Sequence, residues 1–148
     1  MPPGQLSLKG RALRLLSQRE HSRLELERKL AAHAQDDAAE LGRVLDDLQA
    51  KGFINEARVV ESLLHRRAAR LGTSRMRQEL QSKGLSGELV ADALARLRET
   101  ELDRAREVWR RRFGEQAIDA AGRARQARFL AARGFLGDVI RKVLQDRD

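Results

Sequence analysis

The sequence predicts an all-α protein, an elongated array of three tandem three-helix repeats built from helix-turn-helix-like units. Three observations predict it. Aromatic residues make up 3% of the 148 and charged residues 35%, so the apolar content is mostly Leu, Ala and Val set among charges, the makeup of a helical chain. Both prolines fall within the first three residues, leaving none to break a helix afterwards. Three segments also end alike, at Lys51-Gly52-Phe53, Lys83-Gly84-Leu85 and Arg133-Gly134-Phe135. Each places a cation in the last turn against the negative dipole end. Each then offers Gly for the left-handed C′ position and an apolar C″ residue that can fold back on the helix.

The elements follow in order. Residues 1–9 read as a flexible tail. A first helix groups Ala12, Leu13, Leu15 and Leu16 on one side. Ser22-Arg23-Leu24-Glu25 is a capping box opening a second helix, which sets Leu26 and Leu30 one turn apart. A third carries Leu41, Val44, Leu45 and Leu48 up to the Gly52 stop. Beyond it, "EARVVESLLHRRAARL", "SRMRQELQSKGL", "LSGELVADALARL", "LDRAREVWRRRF", "RARQARFLAARGF" and "LGDVIRKVL" each show apolar residues at three- and four-residue spacing. About nine helices result. Residues 114–122 are left open between loop and helix.

A period of about fifty residues underlies this order. Leu30, Leu80 and Leu130 hold the same place in three similar helices, and residues 84–90 match residues 134–140 position by position. The expected repeats are 10–52, 53–99 and 100–148, each burying its apolar face on its neighbour.

Charge is uneven along the chain. Of a net +8, the first fifty residues contribute nothing, with eight Lys/Arg against eight Asp/Glu, while 51–100 and 101–148 contribute +4 each. A basic field of this kind favours polyanions or acidic protein surfaces. Three arginine clusters carry it: Arg66, Arg67, Arg70, Arg75 and Arg77; Arg110, Arg111 and Arg112; and Arg123, Arg125, Arg128 and Arg133. Arginine's planar fork suits carboxylate and phosphate. One continuous basic surface is the expected binding site, against the plainer reading of solvated helix faces. The first repeat is expected to matter less.

Other readings are weaker. A groove-reading second helix would begin with Glu88 and Asp92 in the second repeat, and acids facing phosphates read DNA poorly. Trp109, Phe113, Phe129 and Phe135 could stack bases but are placed as core. Asp36-Asp37 and Asp46-Asp47 read as helix-start and exposed-face acids. His21, His33 and His65 form no metal set, Cys is absent, and neither a nucleophile–base pair nor a phosphate-cradling Gly loop occurs. No enzyme, cofactor or metal is expected. With no secretory signal and no membrane-length apolar run, a cytoplasmic monomer is the expectation.

The segments 12–30, 45–72, 74–85, 105–114 and 125–144, in this order and spacing, resemble the RecX family of regulators of the bacterial recombinase RecA. Val59-Val60 depart where an aromatic is common, and Thr73-Ser74 where a Gly/Pro-type turn is common. The resemblance implies a curved helical array that binds the RecA–DNA filament and inhibits its recombinase and ATPase activities, a role in recombination and repair. It also implies DNA binding, and the arginine clusters predict that this is weak, to single- and double-stranded DNA alike, with little sequence preference. The alternative is a non-specific DNA-binding protein acting on nucleic acid directly.

Overall fold

The structure, a computed structural model, describes residues 6–34 and 37–145. Among these the fold is entirely helical, with eight helices: α1 (Leu8–Gln18), α2 (Arg23–Ala34), α3 (Ala38–Ala50), α4 (Glu56–Arg67), α5 (Thr73–Ser82), α6 (Glu88–Arg112), α7 (Ala120–Ala132) and α8 (Gly137–Gln145).

Eight rather than nine helices arise because α6 runs unbroken through the expected joint near residue 100. The linking residues Arg98, Glu99, Thr100 and Glu101 include neither Gly nor Pro, so nothing stops the helix. α6 therefore spans the expected boundary between the second and third repeats. At the N-terminus the helix begins inside the expected tail. Ser7 caps it by accepting from the Gly10 amide, and Leu8 is buried. The rest of the tail expectation, residues 1–5, lies outside the described residues, as does Asp36.

Local signals that the sequence carries are present as geometry. Gly52, Gly84 and Gly134 adopt φ of 82°, 76° and 90°. Ser22 Oγ accepts from the Glu25 amide at 3.1 Å while Glu25 Oε1 accepts from the Ser22 amide at 3.0 Å, which closes the capping box. Asp37 caps α3 through the Glu40 amide, and Asp119 caps α7 through the Gly122 amide. That cap settles residues 114–122: a loop leads to Asp119, and helix follows from Ala120.

The chain divides into two compact units, Met1–Ser62 with Ser82–Leu85, and Leu63–Gln81 with Ser86–Asp148. In the first, α1, α2 and α3 pack on one another around Ala12, Leu26, Leu30, Leu41, Leu45, Leu48 and Ile54. A polar knot sits beside this core. Glu25 Oε2 takes Arg19 at 2.7 Å and Lys83 at 3.0 Å. Burial pushes its carboxyl up, but the Arg19, Ser22 and Lys83 donors outweigh that and hold it at about 2. His21, 1% exposed, lies between the Arg19 carbonyl and the Lys29 ammonium, each 3.0 Å away. A carbonyl only accepts and an ammonium only donates, so the ring is neutral with its proton on Nδ1.

In the second unit α6, α7 and α8 pack on one another around Ala105, Leu130, Phe135, Ile140 and Val143. Two α6 side chains one turn apart fix the turn from α4 to α5. Glu101, 2% exposed, accepts from the Thr73 amide at 3.1 Å and so caps α5. Arg104 donates to the carbonyls of Ala68 and Leu71, the orphaned acceptors past the end of α4. The other free amides of that turn reach α7's end: Gly72 donates to Arg133 at 2.8 Å and Ser74 to Gly134 at 3.3 Å. Val59 and Val60, which belong to the first unit, are both buried, filling space with branched aliphatic groups.

Candidate functional site

Three helices with their C-terminal ends in the second unit end in cations. α4 closes on His65, Arg66 and Arg67, α6 on Arg110, Arg111 and Arg112, and α7 is C-capped by Arg133. Each end carries unpaired carbonyls and a partial negative charge, which gives every one of these arginines a local reason to be there. The fold then adds something that the spacing along the chain does not contain, by bringing the ends together. Arg70 just past α4, Arg111 and Arg112 from α6, and Arg133 from α7 line one cleft of about 360 Å³, floored by Val108 and Phe129. Each of the three sequence clusters is therefore represented at the same place, the second of them twice.

The aromatic floor shapes the cations. Phe113 and Phe129 meet edge to face, ring centres 5.4 Å apart. The Arg112 guanidinium lies 5.6 Å from the Phe129 ring centre and 5.3 Å from that of Phe113, and Arg133 lies 5.0 Å from Phe129. At these distances the ring quadrupoles attract the cations and hold them without neutralising their charge. The aromatics, placed as core by sequence, thus split. Phe135 is buried, whereas Phe129 packs on the core and also walls the cleft. Trp109 stays with the core and donates from Nε1 to Gln126.

Not every candidate arginine is available. Arg67 forms a forked pair with Glu79, Nε to Oε2 at 3.0 Å and Nη2 to Oε1 at 2.5 Å. Arg110 grips Glu107 by two bonds and Arg111 adds a third, and together they hold the Glu107 carboxyl at about 2. Glu107 is the acid of the cleft and offsets part of its charge. Arg66, Arg77, Arg123, Arg125 and Arg128 are exposed on α4, α5 and α7, outside the cleft lining. Arg75 is exposed too, its stem packed where a Cβ on Gly134 would stand. Sequence reading passed over Arg104 and Glu101, which hold the α4–α5 turn under the cleft. Their signal was an acid and a base at i,i+3 inside an apolar helix face.

No group of three or more His, Asp or Glu side chains able to hold a metal occurs among the described residues. Nor is any helix among them long and apolar enough to cross a membrane.

Fold and cleft together define an all-helical repeat protein that presents arginines around an aromatic floor. Family models described as the second and third three-helix domains of RecX match residues 55–94 and 99–144. The regulatory protein RecX of Leptothrix cholodnii is 62% identical over 97% of this chain and 91% of its own length. That of Ralstonia nicotianae is 45% identical over 100% and 92%. The chain belongs to the RecX family of regulatory proteins. The RecX crystal structure from Lactobacillus salivarius superposes with a TM-score of 0.72 at 20% identity, covering 93% of this chain and 92% of that one, a likeness of fold.

Proposed function

We propose that this chain binds the filament that RecA forms on DNA and lowers its recombinase and ATPase activities, with the arginine cleft of the second unit as the principal contact. The observation that carries the reading is the convergence of Arg70, Arg111, Arg112 and Arg133 on one aromatic floor. A nucleoprotein filament offers acidic side chains and phosphates together, and guanidinium forks pair with both. The proposed repeats keep their boundaries at 10–52, 53–99 and 100–148, with α6 shared between the last two. The protein acts as a cytoplasmic monomer, and each further filament contact raises its effective concentration there.

The second reading, direct and sequence-independent DNA binding, draws on Phe129 and its two flanking cations, a combination that suits a base and its phosphate. RecA ATPase on single-stranded DNA, measured with the protein and with its Arg70→Glu/Arg112→Glu/Arg133→Glu form, tests the first. Inhibition should disappear while far-UV circular dichroism stays unchanged. Undiminished inhibition by a folded triple variant would sink the cleft as the contact.

A further inference from the structure

A second cationic cleft lies in the first unit, within the first fifty residues, whose net charge is zero. Arg11 and Arg14 on α1 and Lys29 and His33 on α2 line a cavity of about 340 Å³, with Leu15 and Leu30 in its walls. The spacings i,i+3 and i,i+4 put each pair on one helix face. Among the described residues no carboxylate lines this cavity. Elsewhere in the unit most cations meet acids: Arg19 and Lys83 with Glu25, Arg23 with Asp46 and Glu27, Arg58 with Glu20, Lys9 and Lys51 with Asp47, while Arg28 donates to the Ser82 carbonyl. Arg11 and Arg14 have no such partner among the described residues. The zero net charge of the first fifty residues thus hides a local excess of cations at this cleft.

Lys29 sharpens the point. Its ammonium bonds to neutral His21, not to a carboxylate. Burial, with Arg19 and Lys83 nearby, pulls it below its ordinary value, and Glu25 only partly opposes them. An anion bound beside it would favour its charged form.

We propose that this cleft binds a compact phosphorylated small molecule with several negative charges held together, of the nucleoside di- or triphosphate class. Its volume falls within the roughly 300–1,000 Å³ typical of small-ligand sites. A nucleic-acid strand delivers one charge about every 3.4 Å of its length, too dilute to match cations crowded into one cavity. A terminal di- or triphosphate sets its charges side by side, and the leucine walls accept its uncharged body. The inference is independent of the arginine cleft in the second unit.

Titration calorimetry with ADP, ATP, inorganic phosphate and an oligothymidylate lacking a terminal phosphate tests it. The whole chain should bind ATP and ADP, with ATP the tighter. Arg11→Gln/Arg14→Gln should weaken both by roughly tenfold or more, since each lost charge-assisted bond is worth about one decade or better. Arg77→Glu, exposed and outside the lining of either cleft, should leave both unchanged. If the double variant fails to fold, Arg14→Glu alone, at an exposed position, reads the same loss. Retained affinity in a folded variant, or an equal loss in Arg77→Glu, would overturn the site. Inorganic phosphate binding as tightly, or oligothymidylate displacing the nucleotide equally well, would overturn the ligand class.

Discussion

The backbones of Gly72 and Gly134 touch. The Gly72 amide donates to the neighbouring Arg133 carbonyl at 2.8 Å, and a Cβ on Gly72 would stand 2.3 Å from the Gly134 carbonyl carbon. Gly134 is confined as well, since its own Cβ would stand 2.3 Å from that of Arg75 and its φ is 90°. The start of α5 and the end of α7 therefore meet with no side chain between them.

Alanine at either glycine should be costly. Overpacking forces a backbone shift worth about 1–3 kcal/mol, and at Gly134 the left-handed penalty of about 1–2 kcal/mol adds to it. Gly52 is the control: its φ is 82° but nothing lies within 4 Å of a Cβ there. Urea unfolding should rank Gly134→Ala as most damaging and Gly52→Ala as milder. Equal losses would mean that the close contact contributes nothing.

Removing the Glu101 carboxylate should loosen the turn it caps. Glu101→Ala strips the Thr73 amide of its acceptor and Arg104 of a neighbouring opposite charge, a loss of about 1–3 kcal/mol. Hydrogen exchange should quicken first at the Thr73 amide. Unaltered protection there would place the cap elsewhere.

Thr73 makes the opposite case. Its hydroxyl is buried and has no hydrogen-bond partner among the described residues. Thr73→Val keeps the shape and removes an unsatisfied polar atom, so stability should hold or rise, by up to about 1 kcal/mol. A clear loss in thermal melting would reveal a partner for that oxygen.

The polar knot of the first unit predicts two acid-sensitive steps. Burial, first among its causes, lowers the His21 pKa from 6.5, so the unfolded chain takes up the proton first and stability falls as pH drops below 6.5. Glu25, held at about 2 against an ordinary 4.5, contributes stability above 4.5 that is lost toward 2. His21→Asn should flatten the melting temperature between pH 7 and 5, and Glu25→Gln should flatten it below 4.5. Unchanged pH profiles would remove both groups from the balance.

The proposed DNA binding by the cleft would carry a signature in salt. Each phosphate neutralised contributes about −0.9 to the log–log slope on duplex and about −0.7 on single strands. Arg70→Glu/Arg112→Glu/Arg133→Glu should reduce the slope as well as the affinity. A slope that survives the substitution would assign DNA contacts to other arginines, such as Arg123, Arg125 and Arg128.

Local chemistry was legible in the sequence wherever a few adjacent residues decide the outcome. Gly84 and Gly134 announce left-handed stops, and Ser22 with Glu25 announces a helix start. The continuity of α6 was not, because two apolar patterns in series look like two helices until the absence of a breaker is weighed. Nor could spacing show which arginines are occupied. Glu79 lies far along the chain from Arg67, and only their packing pairs them. Glu107 was readable, standing three and four residues before Arg110 and Arg111, but counting charges over whole segments hid it. The same counting hid the cleft around Arg11 and Arg14, whose charges are cancelled on paper by acids that face elsewhere.

The unbroken α6 has a consequence for how the molecule comes apart. Repeat proteins lose structure module by module when each module ends at a flexible joint. Here 25 consecutive residues, roughly 37 Å of helix, run through the point where such a joint would lie. Fraying cannot stop there, because halting it would leave a raw helix end with no cap. The α7–α8 hairpin and the α4–α5 turn both rest on this one rod, so melting either should propagate along it to the other. The second unit should therefore unfold in a single step, as one foldon, despite its repeated sequence.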